Sequence, residues 1–504
     1  MTTDSDRAPG PTRRQLLAGA AGTVAAAALS GCTRGSRPAA TAVLADSAHV
    51  AAAERRRRAP NATLVPVRLT AQQSEVDLGG LTVRTWTYGG TIPGPTLRVR
   101  RGDVLQVRLD NQLPDPTTIH WHGVALRNDM DGVPDLTQPA VQAGRQFGYE
   151  FTVPDAGTYW FRPHVGTQLD RGLYAPLIVD DPRDPGRYDA EFVIVLDDWL
   201  DGTGRTPDSV LKDLRAMGMA GMGSGMPGMP GMGGEQSPLF GDAGDVDYPH
   251  YLLNGRLPTA PVTFTARPRQ RVRLRVINAA ADTAFRVALG GHRMTVTHTD
   301  GFPVRPAVTD ALLISMGERY DVTVTAGDGV FPLVAVAEGK GGQALAVLRT
   351  GAGRPPAAGA RPAELNRKIA MLADLTAAED VQLPAKQPDR IHTLRLGMGM
   401  SGYRWTINDR TYGEDPPLRT SAGERVRLEF VNSSPMFHPM HLHGHTFAVR
   451  GRDGQGPRKD TVMVWPNKRI TVDLAADNPG QWLTHCHNVY HGEAGMMARL
   501  SYVE

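Results

Sequence analysis

Cysteine is almost missing from this chain: two occur in 504 residues, Cys32 and Cys486. With one cysteine near the start and one near the end, no disulfide framework is expected to hold the body together. Aromatic residues make up only 6%, and no apolar run is long and hydrophobic enough to form a stable membrane span. Charge of either sign is nearly balanced, at a formal +3. That gives no electrostatic footprint for nucleic acid. Neither a 34-residue nor a heptad repeat is visible, so solenoids and coiled coils are set aside. Helical periodicity is scarce past residue 60. What is abundant is Gly (56) and Pro (39), the punctuation of many turns between short strands.

The first thirty-two residues are an address and not part of the fold. Thr12-Arg13-Arg14-Gln15-Leu16-Leu17 and the Ala/Gly/Leu run after it resemble a twin-arginine export signal. Leu29-Ser30-Gly31-Cys32 resembles a bacterial lipobox, which implies that Cys32 is acylated and that the body sits outside the cytoplasmic membrane on a lipid tether. A released, secreted product is the alternative. Residues 33–60, Ala-rich with the basic run Arg55 to Arg58, read as a disordered tether.

Beyond residue 60, short segments rich in Val, Ile and Leu alternate with polar residues and end at Gly, Pro or Asp. They are Leu97 to Leu109, Gln146 to Val153, Leu177 to Val179, Phe192 to Leu196, Val272 to Asn278, Tyr320 to Val324, Val426 to Val431 and Ile470 to Leu474. This is the pattern of β-sandwiches. Composition breaks near 181–187 and 350–362 divide the body into domains at 61–182, 183–352 and 353–504. The second carries an insert at 217–234 with six of the eighteen methionines in a Gly/Pro background, which cannot pack a core.

Histidine is where the chemistry concentrates. Fifteen histidines in a chain of this length give about 0.4 His-x-His pairs by chance, yet four occur: His120/His122, His441/His443, His443/His445 and His485/His487. On a strand each pair presents two imidazoles on one face, ready to bind one metal or bridge two. Cys486 lies between His485 and His487, with His491 and Met496 downstream. Two His, one Cys and a weak axial Met are the donors of a trigonal copper centre. Because side chains alternate along a strand, Cys486 faces one way and its two neighbours the other. Coordination would also protect a thiol kept in an oxidising compartment.

His120-Trp121-His122-Gly123, His438-Pro439-Met440-His441-Leu442-His443-Gly444-His445 and the His485-Cys486-His487 run resemble the motifs of multicopper oxidases. Gly157 to Gly166 and Gly172 to Ile178 resemble the remaining one. The resemblance covers about residues 62–502, and the Met-rich insert and lipoprotein export look most like bacterial cuprous oxidases of copper tolerance. It implies an all-β fold of three cupredoxin-like Greek-key β-sandwich domains and up to four copper ions. Type 1 copper would be held by His438, Cys486, His491 and Met496, and type 2 copper by His120 and His441. One type 3 copper would take His164, His443 and His485. The other would take His122, His487 and one histidine more.

That last histidine is absent. The motif expects His-x-His, and its first position is Arg162, whose guanidinium has no lone pair to give. Impaired oxidase turnover or partial occupancy of one type 3 site is therefore expected. Asp131 matches the family acid beside the cluster and is the expected proton donor for oxygen reduction. Met217, Met219, Met222, Met226, Met229 and Met232 are candidate thioether contacts for cuprous substrate. The leading reading is a monomeric, membrane-tethered enzyme oxidising Cu(I) at the expense of dioxygen, with phenols as a further, laccase-like substrate class. The rival is a copper-binding or electron-transfer protein with an intact type 1 site and a defective oxygen-reducing cluster.

Overall fold

A computed structural model describes residues 41–504 apart from 182–183, 185–187, 219–243 and 452–453. Cys32 and five of the six insert methionines, Met219 to Met232, fall outside the described residues. Six sheets follow one another along the chain in pairs. Two four-stranded sheets are built from Leu64–Asp77 through Ala175–Asp180, two six-stranded sheets mainly from Ala190–Trp199 through Gln343–Arg349, and a six- and a five-stranded sheet from Arg390–Met398 through Met497–Tyr502. Each sheet mixes parallel and antiparallel neighbours. Leu64–Asp77, for example, runs parallel to Val104–Asn111 and antiparallel to Thr82–Tyr88. One continuous apolar core extends from Val43 to Tyr502, with a small satellite around Ala288 and Val334.

The expected strands are present, with one division. Leu97 to Leu109 is two strands, Leu97–Arg100 and Val104–Asn111, because the chain turns at Gly102, where φ is +89°, and the Asp103 carboxylate accepts the Arg100 N–H at 2.8 Å. The scarcity of helix is broken at Pro207–Met217 (α2), opened by a capping box between Thr206 and Ser209 with proline at its start.

The tether reading fails over residues 41–60. Ala48–Arg57 forms a helix (α1), capped by the Ser47 hydroxyl, with Val50, Ala53 and Glu54 buried against the body. Alanine favours helix, and the arginines of the last turn suit its dipole. Glu54 Oε1 accepts from both the N–H and the hydroxyl of Thr152, at 2.9 and 2.7 Å. Ahead of the helix, Val43 N–H donates to Tyr502 O and the Gln481 amide donates to Val43 O. The arm thus joins the first sheet pair to the last strand. A buried donor stripped of such a partner costs on the order of 1–3 kcal/mol, so the arm is part of the fold.

Carboxylates held by arginines brace the second and third sheet pairs, and one of them also reaches the first. The Asp321 carboxylate accepts from Arg273, Arg275 and the Thr158 hydroxyl of the first pair. Burial opposes its charge, yet the two guanidiniums hold it well below the usual carboxylate range. Glu424, hydrogen-bonded by Arg390, is held down at about 2. A carboxylate with a depressed folded pKa stabilises the fold above its unfolded value, and that contribution is lost as pH falls through the folded one. The urea midpoint is therefore expected to drop continuously below about pH 4. A plateau there, in denaturation curves taken at successive acid pH values, would contradict these pairings.

Candidate copper centres

The local folding of four segments sets the site. The strand His120–His122 lies antiparallel to Gly157–Arg162, which places His120 opposite Arg162 and His122 opposite Trp160. The strand His438–Leu442 pairs with Gln481–Cys486, with Met440 facing Cys486 and His441 facing His485. The pleat then does what alternation requires: Cys486 turns to one side of the sheet, while His485 and His487 turn to the other.

On the Cys486 side three donor atoms form a triangle. The sulfur stands 3.6 Å from Nδ1 of His438 and 3.6 Å from Nδ1 of His491, and those nitrogens are 3.1 Å apart. His491 comes from the short helix Val489–Glu493 (α3). Met496 is fully buried and held on both sides, its N–H donating to His491 O and its carbonyl accepting from Cys486 N–H. The outer edges of both imidazoles are also fixed, His438 Nε2 by Ser434 Oγ at 2.7 Å and His491 Nε2 by Asp245 Oδ2 at 2.8 Å, with Tyr403 donating to the same carboxylate. Trp405 lies over His491 with ring centres 4.0 Å apart. Burial disfavours the imidazolium at His491, but Asp245 and Cys486 outweigh it and push that group up to about 10. Metal binding there must release that proton.

On the other side seven imidazoles converge between the first and third sheet pairs. His120 stacks on His443 and His122 on His441, each with centres 3.8 Å apart. His443 Nε2 and His485 Nε2 are 3.1 Å apart, His164 and His485 have centres at 5.1 Å, and His122 and His487 at 5.0 Å. Two buried carboxylates back the stacks. Asp131 reaches His120 Nδ1 at 3.2 Å and His443 Nδ1 at 2.8 Å. Asp460 reaches His122 Nε2 at 3.2 Å and His441 Nδ1 at 3.4 Å. Burial raises the cost of the Asp460 charge, yet Arg319 and the two imidazoles hold it well below the usual range.

These residues fit copper by what they leave unpaired. His120 Nε2, His122 Nδ1, His164 Nε2, His441 Nε2 and both nitrogens of His487 are buried without a hydrogen-bond partner. Unsatisfied buried polar atoms are uncommon, and several aimed into one region are the mark of a metal site. Burial, foremost, keeps His122, His164, His443, His485 and His487 far below the ordinary imidazole pKa, so they present neutral donors. Donor atoms come within 4.8 Å of one another in four groups: His120/His441/His443, His164/His443/His485, His438/Cys486/His491 and His122/His441/Asp460.

Arg162 stands opposite His120 on the paired strand. Its guanidinium is buried, donates to Pro163 O at 3.0 Å, lies 5.8 Å from the Trp160 ring and leaves Nε unpartnered. Burial brings its pKa down to about 9, which still leaves it cationic at neutral pH. Asp460, Thr461, Arg319, Asp245 and Ser434 were not foreseen, and no local motif distinguishes them: Asp460 is 338 residues from His122. His445, set apart from the ligands, donates through Nδ1 to His443 O and meets Tyr502 Oη through Nε2. Of the insert methionines, Met217 ends α2 and is exposed.

Multicopper oxidase family models match residues 70–184, 190–353 and 382–504. The chain is 51% identical over 496 residues to multicopper oxidase MmcO of Mycobacterium tuberculosis, covering 98% of this chain and 97% of that one. It is 30% identical to a copper resistance protein A homolog of Pseudomonas syringae, covering 85% and 90%. Among solved structures, Fet3p, a multicopper oxidase that functions in iron import, superposes with a TM-score of 0.74 at 22% identity, covering 87% of this chain and 90% of that one. A multicopper oxidase from Pseudomonas thermotolerans gives 0.65 at 29%, covering 88% and 100%. The three sheet pairs are accordingly cupredoxin-like, and the chain belongs to the multicopper oxidases, copper-dependent oxidoreductases.

Proposed function

We propose that the protein is an exported cuprous oxidase that couples the oxidation of four Cu(I) to the reduction of one dioxygen, with four protons, to two waters. His438, Cys486, His491 and Met496 would hold type 1 copper, and His120 and His441 type 2. His164, His443 and His485 would hold one type 3 ion, and His122 and His487 the other. Bound copper supplies one-electron transfer and oxygen binding. The chain's own residues do the rest: the Cys486 backbone links the electron entry point to His485 and His487, and Asp131 stands where a proton can be delivered to reduced oxygen.

The observation that carries cuprous substrate is where the Met-rich insert leaves and re-enters the fold. At its start Arg215 donates to Glu493 O at 2.9 Å, two residues beyond His491, and Gly218 lies against Gly402. At its end stands Asp245, bonded to His491 itself. Met217 and Met400 are exposed, and a cleft of ≈ 830 Å³ is lined by Arg215, Tyr403, Glu493, Met497 and His164. Thioethers favour Cu(I) over hard ions, so Met217 and Met400 would offer soft donors to cuprous substrate. The copper resistance proteins among the relatives accord with a role in copper tolerance. The domain limits 61–182, 183–352 and 353–504, export by the twin-arginine route and acylation of Cys32 complete the reading. Among the described residues no helix is long and apolar enough to cross a membrane.

Arg162 supports the second reading, a type 1 electron-transfer or copper-binding protein whose cluster turns over poorly. Oxygen uptake with Cu(I) as the only reductant, together with copper per chain, separates the two. Uptake with water as product supports the oxidase; a blue protein that consumes no oxygen supports the alternative.

A further inference from the structure

The two carboxylates behind the cluster are alike in placement and opposite in support. Each bridges a stacked imidazole pair, one ring from the first sheet pair and one from the third. Asp131 has imidazoles as its only ion-pair partners among those seen. Asp460 is gripped by Arg319, whose Nη1 and Nη2 each donate to one carboxylate oxygen at 2.7 Å. A forked pair of this kind fixes direction as well as charge.

Arg319 belongs to the middle family segment, which supplies none of the candidate ligands. It is wholly buried, and its Nε donates to Thr158 O of the first sheet pair at 3.0 Å, so one side chain touches all three. Asp300 of the same segment accepts from Arg319 N and, through its other oxygen, from Asp460 N and Thr461 N. Gly317, two residues earlier, packs so closely that a Cβ there would stand 2.7 Å from His487 Cδ2 and 3.0 Å from His122 Cε1. The loop from the middle segment therefore backs both imidazoles of the copper position that Arg162 leaves one ligand short.

We propose that Arg319 is a positioning residue: by clamping Asp460 it fixes the tautomer and tilt of His122, and so lets the middle segment hold copper where the third imidazole is missing. A carboxylate so engaged can only accept, so the His122 proton sits on Nε2 and the unpartnered Nδ1 is left as the donor to metal. With two ligands instead of three, the cost of letting one of them rotate rises. The rigidity that a third bond would have supplied comes from Arg319 and the Gly317 backbone.

This inference rests on assigning His122 and His487 to one copper, and its test keeps the two apart. In the copper-free parent protein, nitrogen NMR of labelled histidine is expected to find His122 protonated at Nε2. In Arg319→Gln and Asp460→Asn that preference is lost, and copper affinity at the cluster is expected to fall about 10- to 100-fold, while the blue absorption per chain stays at the parent value. Arg319→Lys, which keeps the charge and loses the fork, should recover part of the affinity. A proton on Nδ1 of His122 in the parent, or variants whose copper affinity stays within about twofold of it, would overturn the proposal. If the parent takes up type 1 copper alone, the ligand assignment fails, and the tautomer measurement still decides the role of Arg319. If Arg319→Gln does not fold, Arg319→Lys and the parent tautomer carry the decision.

Discussion

An Arg162→His substitution is expected to increase copper per chain and to raise the rate of oxygen consumption with Cu(I), by at least about tenfold at limiting copper. Arg162 closes the strand that pairs with His120–His122, so an imidazole at this position starts from the same backbone as the residue it replaces. The exchange also removes a buried cation, whose charge opposes binding of a copper ion nearby. It relieves Nε of Arg162, which has no partner. The blue band should not change, because the hydrogen bonds that hold His438, Cys486, His491 and Met496 come from other segments. Copper analysis, absorption and oxygen uptake on the same sample test the assignment. A variant with unchanged copper content and rate would mean that Arg162 does not limit the site, and that two imidazoles suffice there.

Asp131→Asn is expected to lower turnover by about 100-fold or more, the scale on which a positioned acid contributes to proton transfer. The amide is nearly the same shape and keeps an acceptor for His443, now at 2.8 Å from a carboxylate oxygen, so copper should be retained. What it cannot do is give up and recover a proton. Rapid mixing with Cu(I) should therefore bleach the blue colour as fast as in the parent, while its return under oxygen slows. Equal slowing of both phases would point instead to a distorted site. Asp131 is the sharper choice of the two carboxylates, since Asp460 is pinned by Arg319 and serves as a fixed anion.

Much of this was legible in the sequence because its signals are local. Strand alternation, the breaks rich in Gly and Pro, and four His-x-His words each lie within a few residues, and alternation alone assigned Cys486 and its neighbours to opposite faces. Arg162 was equally plain, since a motif with one wrong member shows its own defect. The parts that were hidden depend on distant segments. Asp245, Ser434 and Asp460 look like ordinary loop or turn residues until the fold brings them against His491, His438 and His122. The segment before residue 60 misled because its composition, alanine and arginine, suits a solvated linker as well as a docked helix. Only burial of Val50 and Glu54 separates them. α2 was missed because its capping box and proline were outweighed by the Gly/Met tract that follows.

The docked arm has a consequence for how the chain is made. Val43 and Gln481, which it brings together, are 438 residues apart, and Thr41 pairs with Glu504 at the very end. On the ribosome the arm emerges well before Gln481 and Tyr502, so α1 can dock on the first sheet pair while the Val43 end lies unmatched. Docking of the arm waits for Met497–Tyr502, and a chain cut before Met496 lacks both that residue and the strand that receives the arm. Docking of the arm and burial of Met496 beside His491 and Cys486 thereby draw on one stretch of chain, residues 496–504.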